Sequence, residues 1–93
     1  MIILLWYNIY HKRYKMSSVF SKKRMQMAVN KLGKKIKLAR IELDLTQTQL
    51  AQRINTQQKS ISHYETGTSV PSIATLLKIA KALKKPASYF LDE

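Results

Sequence analysis

The stretch from Thr46 to Gly67 constrains this chain more than any other. It reads as two short helices joined by a tight turn at Asn55. Thr46 is placed to cap a first helix, with Gln49 at the third helical position completing a reciprocal capping box. Leu45 before the cap and Leu50 after it have the spacing of a hydrophobic staple. Leu50, Ala51 and Ile54 make one apolar stripe, and Ala51 is small enough to let a second helix come close. Asn55 tolerates the left-handed conformation in which helices often end, and Thr56 is placed to cap a second helix whose first turn is Gln57, Gln58 and Lys59. So short a connection makes the two helices cross steeply, as in a helix-turn-helix unit.

Rotating the second helix by 100° per residue from Ile61 puts Tyr64 and Glu65 near the apolar side and Lys59, Ser62 and His63 away from it. Gln57 and Gln58 project from its open N-terminal end. These outward groups suit the major groove of double-stranded DNA: amides that pair with adenine, an ammonium for guanine, a hydroxyl for either. A generic solvated face is the plain alternative, and it would more often carry Glu beside Lys. The expected base-reading set is therefore Gln57, Gln58, Lys59, Ser62 and His63. Gln47, at the N-terminus of the preceding helix, is expected to meet a phosphate, with Arg53, Ser60, Thr66 and Thr68 as further phosphate contacts.

The same residues carry a family resemblance. Thr-Gln-x-x-Leu-Ala from Thr46, Ile-Ser-x-Tyr-Glu from Ile61, Gly67, Pro71 and Leu-Leu-Lys-Ile-Ala-Lys-Ala-Leu from Leu76 together resemble the lambda-repressor-like, Cro-type helix-turn-helix family, over residues 31 to 91. Asn55 departs from the pattern, where the family often has Gly, and so does Thr66, where Asn or Arg is frequent. The resemblance implies an all-α fold, a compact five-helix domain with its helix-turn-helix at helices 2 and 3. It also implies a sequence-specific repressor that acts as a homodimer on a palindromic operator. Finally, it pairs Arg40, placed awkwardly close to an apolar stripe, with Glu65 in a structural bridge. The fold also resembles multiprotein bridging coactivators and antitoxins, which touch other proteins; these are the alternative reading.

Composition agrees with a polyanionic partner. The 93 residues carry 17 Lys and Arg against 5 Asp and Glu, a net charge of +12, as expected of a DNA or membrane-surface binder. Half of that excess lies in residues 1–30, which hold bases and no acid. The absence of cysteine excludes disulfides and thiolate metal sites and suits a reducing cytoplasm, where a nucleoid-associated protein is expected. No metal or cofactor is expected. An enzyme reading finds no support: His11 and His63 are far apart without acidic neighbours in sequence, and Gly33-Lys34-Lys35 lacks the upstream glycine of a phosphate loop.

Residues 1–30 read as a basic, partly apolar N-terminal extension and residues 31–93 as the helix-turn-helix domain. Met1 to Tyr10 is apolar and aromatic but far short of the ~20 residues of a membrane span. Its basic cluster follows the apolar run, the reverse of a signal peptide. It is either a start set too early, with Met16, Met25 or Met27 as the true one, or a tail that docks on a partner or membrane surface. Ser17 to Asn30 reads as a solvated or DNA-following arm. From Lys31 a helical period runs through Leu32, Ile36, Ala39 and Leu43. Gly67 is free to take positive φ, Ser72 caps a fourth helix with a stripe of Ile73, Leu76, Leu77, Ala80 and Leu83, and Pro86 precedes a last short helix. There Tyr89, Phe90 and Leu91 either close the core or form a dimer patch.

Overall fold

Between Ser18 and Glu42 the chain has no proline and a single glycine, and in the computed structural model, which describes residues 18–91, it forms one continuous helix, α1 (Ser18–Glu42). Four shorter helices follow: α2 (Gln47–Arg53), α3 (Gln58–Thr66), α4 (Ile73–Ala82) and α5 (Ala87–Leu91). No strand occurs among the described residues, and the all-α, five-helix architecture is the one expected.

The start of α1 is the main departure. A helix was expected from Lys31, with a solvated or DNA-following arm before it, yet the helix begins at Ser18. Apolar periodicity reports burial, and residues 22–27 bury little; Lys, Arg, Met and Gln are nevertheless good helix formers, so propensity carries the helix on. The extension is also anchored: Val29 is buried, and the Gln26 Nε2 donates to the Gly67 carbonyl at 3.4 Å. The apolar run Met1 to Tyr10 and the acids Asp92 and Glu93 lie outside the described residues.

Three helices end in the same way. Asp44 (φ 54°), Asn55 (φ 57°) and Lys84 (φ 57°) each take the left-handed conformation two residues past the last residue of a helix. In each case the next N–H reaches back to the third-last carbonyl: Leu45 to Arg40 at 3.1 Å, Thr56 to Ala51 at 2.9 Å, Lys85 to Ala80 at 3.0 Å. These are Schellman closures, which satisfy terminal carbonyls with main-chain donors alone. The stop at Asn55 is as expected, but the cap after it is not. Thr56 closes α2 instead, so Gln57 becomes the N-cap of α3, without a side-chain cap bond. At α2 the capping box is complete: Gln49 N–H donates to the Thr46 Oγ1 at 3.0 Å and Thr46 N–H to the Gln49 Oε1 at 2.8 Å. Ser72 caps α4 by accepting from Thr75 N–H, and Gly67 ends α3 at φ 79°.

Ile36 of α1, Leu50 of α2, Ile61 of α3, Ile79 of α4, Leu83 after it and Phe90 of α5 meet in one core, each with its side chain fully buried. Phe90 therefore closes the core. Tyr89 sits at the edge, its carbonyl accepting from the Lys35 Nζ at 3.0 Å and its ring 4.9 Å from the Lys85 Nζ. Lys85, in the turn before α5, also pairs with Glu42 at 3.1 Å, so that turn is tied back to the end of α1 by charge.

Helices α1 and α3 cross closely at Gly33. A Cβ built on Gly33 would lie 2.5 Å from the Tyr64 carbonyl oxygen and 2.6 Å from that of Glu65, both main-chain atoms. Inside a helix Gly normally costs ~0.5–1 kcal/mol relative to Ala. Here the sign reverses, because only a residue without Cβ lets the two backbones approach. Gly33→Ala is expected to destabilise the domain by ~1–3 kcal/mol, read as a lower denaturant midpoint at unchanged slope; a stabilised variant would refute the crossing.

Candidate nucleic-acid interface

Arg40 lies on the face of α1 that meets the end of α3, where an unpaired guanidinium would be costly. Its Nε and Nη2 donate to the two carboxylate oxygens of Glu65 at 2.7 and 3.0 Å, the fork-on-fork arrangement of a bidentate pair. A third nitrogen, Nη1, donates to the Leu45 carbonyl at 2.7 Å. The side chains are 11% and 3% exposed, so the pair is shielded from water. The bridge expected between Arg40 and Glu65 is thus present, and it clamps the C-terminal end of α3 to α1 and to the corner before α2.

From Glu65 the hydrogen bonding continues outward. Gln47 Nε2 donates to Glu65 Oε1 at 3.0 Å, and Gln47 Oε1 accepts from Gln58 Nε2 at 2.6 Å. Both ends of the Gln47 amide are engaged, one on the bridge and one on the first residue of α3. The remaining N–H and the Oε1 of Gln58 form the donor–acceptor edge that adenine N7 and N6 match. Gln57 and Lys59 flank it, both exposed. Four residues expected to meet DNA, Gln47, Gln57, Gln58 and Lys59, are therefore brought together at one end of α3.

The other expected residues distribute along the helix. Ser62 and His63 are half-buried one turn further on, beside Lys59, and Ser60 is half-buried on the opposite flank. Arg53 is exposed at the far end of α2 from Gln47. Thr66 and Thr68 are exposed at the C-terminal end of α3, with their hydroxyls 2.8 Å apart. There the structure adds residues that pattern reasoning missed. Gln26 donates to Asn30 Oδ1 at 2.8 Å, and a side chain at Gly67 would strike the Asn30 amide. A glycine two turns before Arg40 was the available signal that α1 and α3 come this close.

Charge is one-sided. Of the acids among the described residues, Glu65 and Glu42 are ion-paired and Asp44 is the third; none belongs to the first turn of α3. No group of three His, Cys, Asp or Glu among the described residues could hold a metal ion. No helix among them is long and apolar enough to cross a membrane.

A helix-turn-helix family model matches residues 36–90. Vegetative-specific protein H7 of Dictyostelium discoideum is 46% identical over 48 residues, which are 52% of this chain and 46% of that protein. Multiprotein-bridging factor 1a of Arabidopsis thaliana is 44% identical over 52 residues, 56% of this chain and 37% of the relative. Multiprotein-bridging factor 1 of Candida albicans is 40% identical over 52 residues, 56% and 34% respectively. The chain spans less than half the length of these relatives.

Removing one member of the Arg40–Glu65 pair strands the other in a shielded site. Arg40→Met or Glu65→Leu alone is expected to cost ~3–5 kcal/mol, and the double variant less than the worse single one. Denaturant unfolding of the three variants checks this; strictly additive losses would show that the two side chains do not act as a pair.

Proposed function

This chain belongs to the lambda-repressor and Cro type of helix-turn-helix family, a family of DNA-binding domains, and from that premise we propose that it is a transcription regulator that reads duplex DNA with the N-terminal turn of α3 in the major groove. The observation that carries the reading is the Gln47–Gln58 hydrogen bond, 2.6 Å long, on the open end of α3. It orients an amide edge whose two remaining polar groups fit adenine, beside an ammonium with no acid in its own helical turn. In this reading Gln57, Gln58, Lys59, Ser62 and His63 face bases, and Arg53, Ser60, Thr66 and Thr68 meet phosphates.

Gln47 takes a double role. Its side chain holds Gln58, and its backbone N–H at the start of α2 is left for the phosphate contact. As a homodimer the protein would read two half-sites about one helical turn apart, roughly 34 Å, on a palindromic operator, and act there as a repressor. A second reading is a protein-bridging module, favoured by the two relatives named as multiprotein-bridging factors. It would use surfaces away from the first turn of α3, where Leu38, Ile41, Ile73 and Leu77 are exposed.

Selection of bound duplexes from a random pool with the full chain tests the reading: an enriched motif is expected, with dyad symmetry if the homodimer forms. Gln58→Ala should then cost ~1–3 kcal/mol at one base pair and flatten the preference there. Gln47→Ala should lower the same preference as well as overall affinity, because it releases Gln58. A ratio of selected to scrambled DNA that neither substitution changes would sink the assignment.

A further inference from the structure

DNA reading by α3 leaves the N-terminal half of α1 without a role. It precedes the residues matched by the family model, which begin at 36. It is basic: from Ser18 to Asn30 the chain has Lys22, Lys23 and Arg24 and no acid. Lys22 and Lys23 are both exposed on it. Its position is set by Gln26, which donates to the Gly67 carbonyl at 3.4 Å, and by Asn30, packed against Gly67. This half of α1 is therefore seated against the C-terminal end of α3.

That end has a defined place relative to a duplex. A nine-residue helix such as α3 is about 13 Å long, and the major groove is only about 8.5 Å deep. A helix entering by its N-terminus, as in the reading above, would therefore emerge at the sugar–phosphate ridge, which would place Thr66, Gly67 and Thr68 there. Lys22 precedes Gln26 by four residues and shares its row along α1; Lys23 sits beside that row. The backbone positions of both lysines thus lie about one turn, roughly 5 Å along α1, beyond Gln26 and its contact with Gly67.

We propose that the N-terminal half of α1 is a second DNA contact, in which Lys22 and Lys23 bind phosphates flanking the base pairs read by α3. Charge complementarity selects the occupant: an acid-free helical face presented to a polyanion at the edge of the groove. Lysine is suited to this as a point charge that carries no sequence information, so the contact lengthens the footprint without narrowing the motif. The proposal rests on the DNA reading above.

The test uses the full chain and two duplexes, the selected site with one helical turn of flank on each side and the same site trimmed of its flanks. Affinity is followed by fluorescence anisotropy from about 50 to 200 mM salt. On the flanked duplex Lys22→Gln/Lys23→Gln is expected to reduce the slope of log K against log salt by about 1.8, two phosphates' worth. The ratio of selected to scrambled DNA should stay as in the wild type, the trimmed duplex should show no change, and Lys22→Arg/Lys23→Arg should restore the slope. Circular dichroism confirms that helix content is kept. An unchanged slope on the flanked duplex overturns the proposal and leaves these bases for an acidic protein surface; an equal drop on both duplexes overturns it in favour of diffuse charge. Gln58→Ala run alongside separates the two ideas: if it leaves the ratio intact, base reading fails while the lysine slopes still decide the flanking contact. A wild-type chain that binds no duplex removes both.

Discussion

The buried bidentate pair of Arg40 with Glu65 is the interaction on which the rest of the arrangement depends. A charge pair shielded from water gains little over a well-packed apolar pair of the same volume, because desolvation offsets most of the attraction. What it supplies is direction. Five hydrogen bonds converge on or leave these two side chains and Gln47, counting Arg40 to Leu45 and Gln58 to Gln47. A hydrophobic replacement could hold α3 against α1, but it could not fix the rotation of α3 about its own axis. The close backbone contact at Gly33 sets the distance between the same two helices, so the pair and the glycine together define a crossing in both separation and angle.

This division explains how a domain with a modest core can present a precise polar surface. The apolar side chains from all five helices supply cohesion, and they would tolerate small adjustments of packing. The polar relay from Arg40 through Glu65 and Gln47 to Gln58 carries the positional information outward to the surface. Each member of the relay is held by its neighbour, which limits the rotamer freedom of the Gln58 side chain in the free protein.

Much of this was legible in the residues. The capping box at Thr46 and Gln49, the stop at Asn55, the cap at Ser72 and most of the apolar stripes follow from local rules that agree with the fold; Ile73 and Leu77, read as part of the α4 stripe, are instead exposed, because the stripe is wider than the face that α4 buries. The all-α architecture and the Arg40–Glu65 partnership came from family resemblance, since nothing in spacing alone brings those two residues together. Three features escaped. The helix N-terminal to Lys31 has no apolar stripe over residues 22–27, so periodicity could not find it, although helix propensity there is good. Thr56 has the chemistry of a cap, but its N–H belongs to the closure of α2, a choice made by backbone geometry one residue earlier at Asn55. The engagement of Gln47 with both Glu65 and Gln58 depends on three helices meeting, which no local pattern encodes.

The repeated closure at Asp44, Asn55 and Lys84 has a wider consequence. At each corner the chain direction is set by main-chain bonding and by one residue able to sit in a sparsely populated backbone basin, and the side chain there is exposed. Inter-helix angles are thereby decoupled from the chemistry of the solvent-facing positions. Such a frame can drift widely in surface composition, or exchange one outward face for another with a different specificity, while the bend at every corner is preserved.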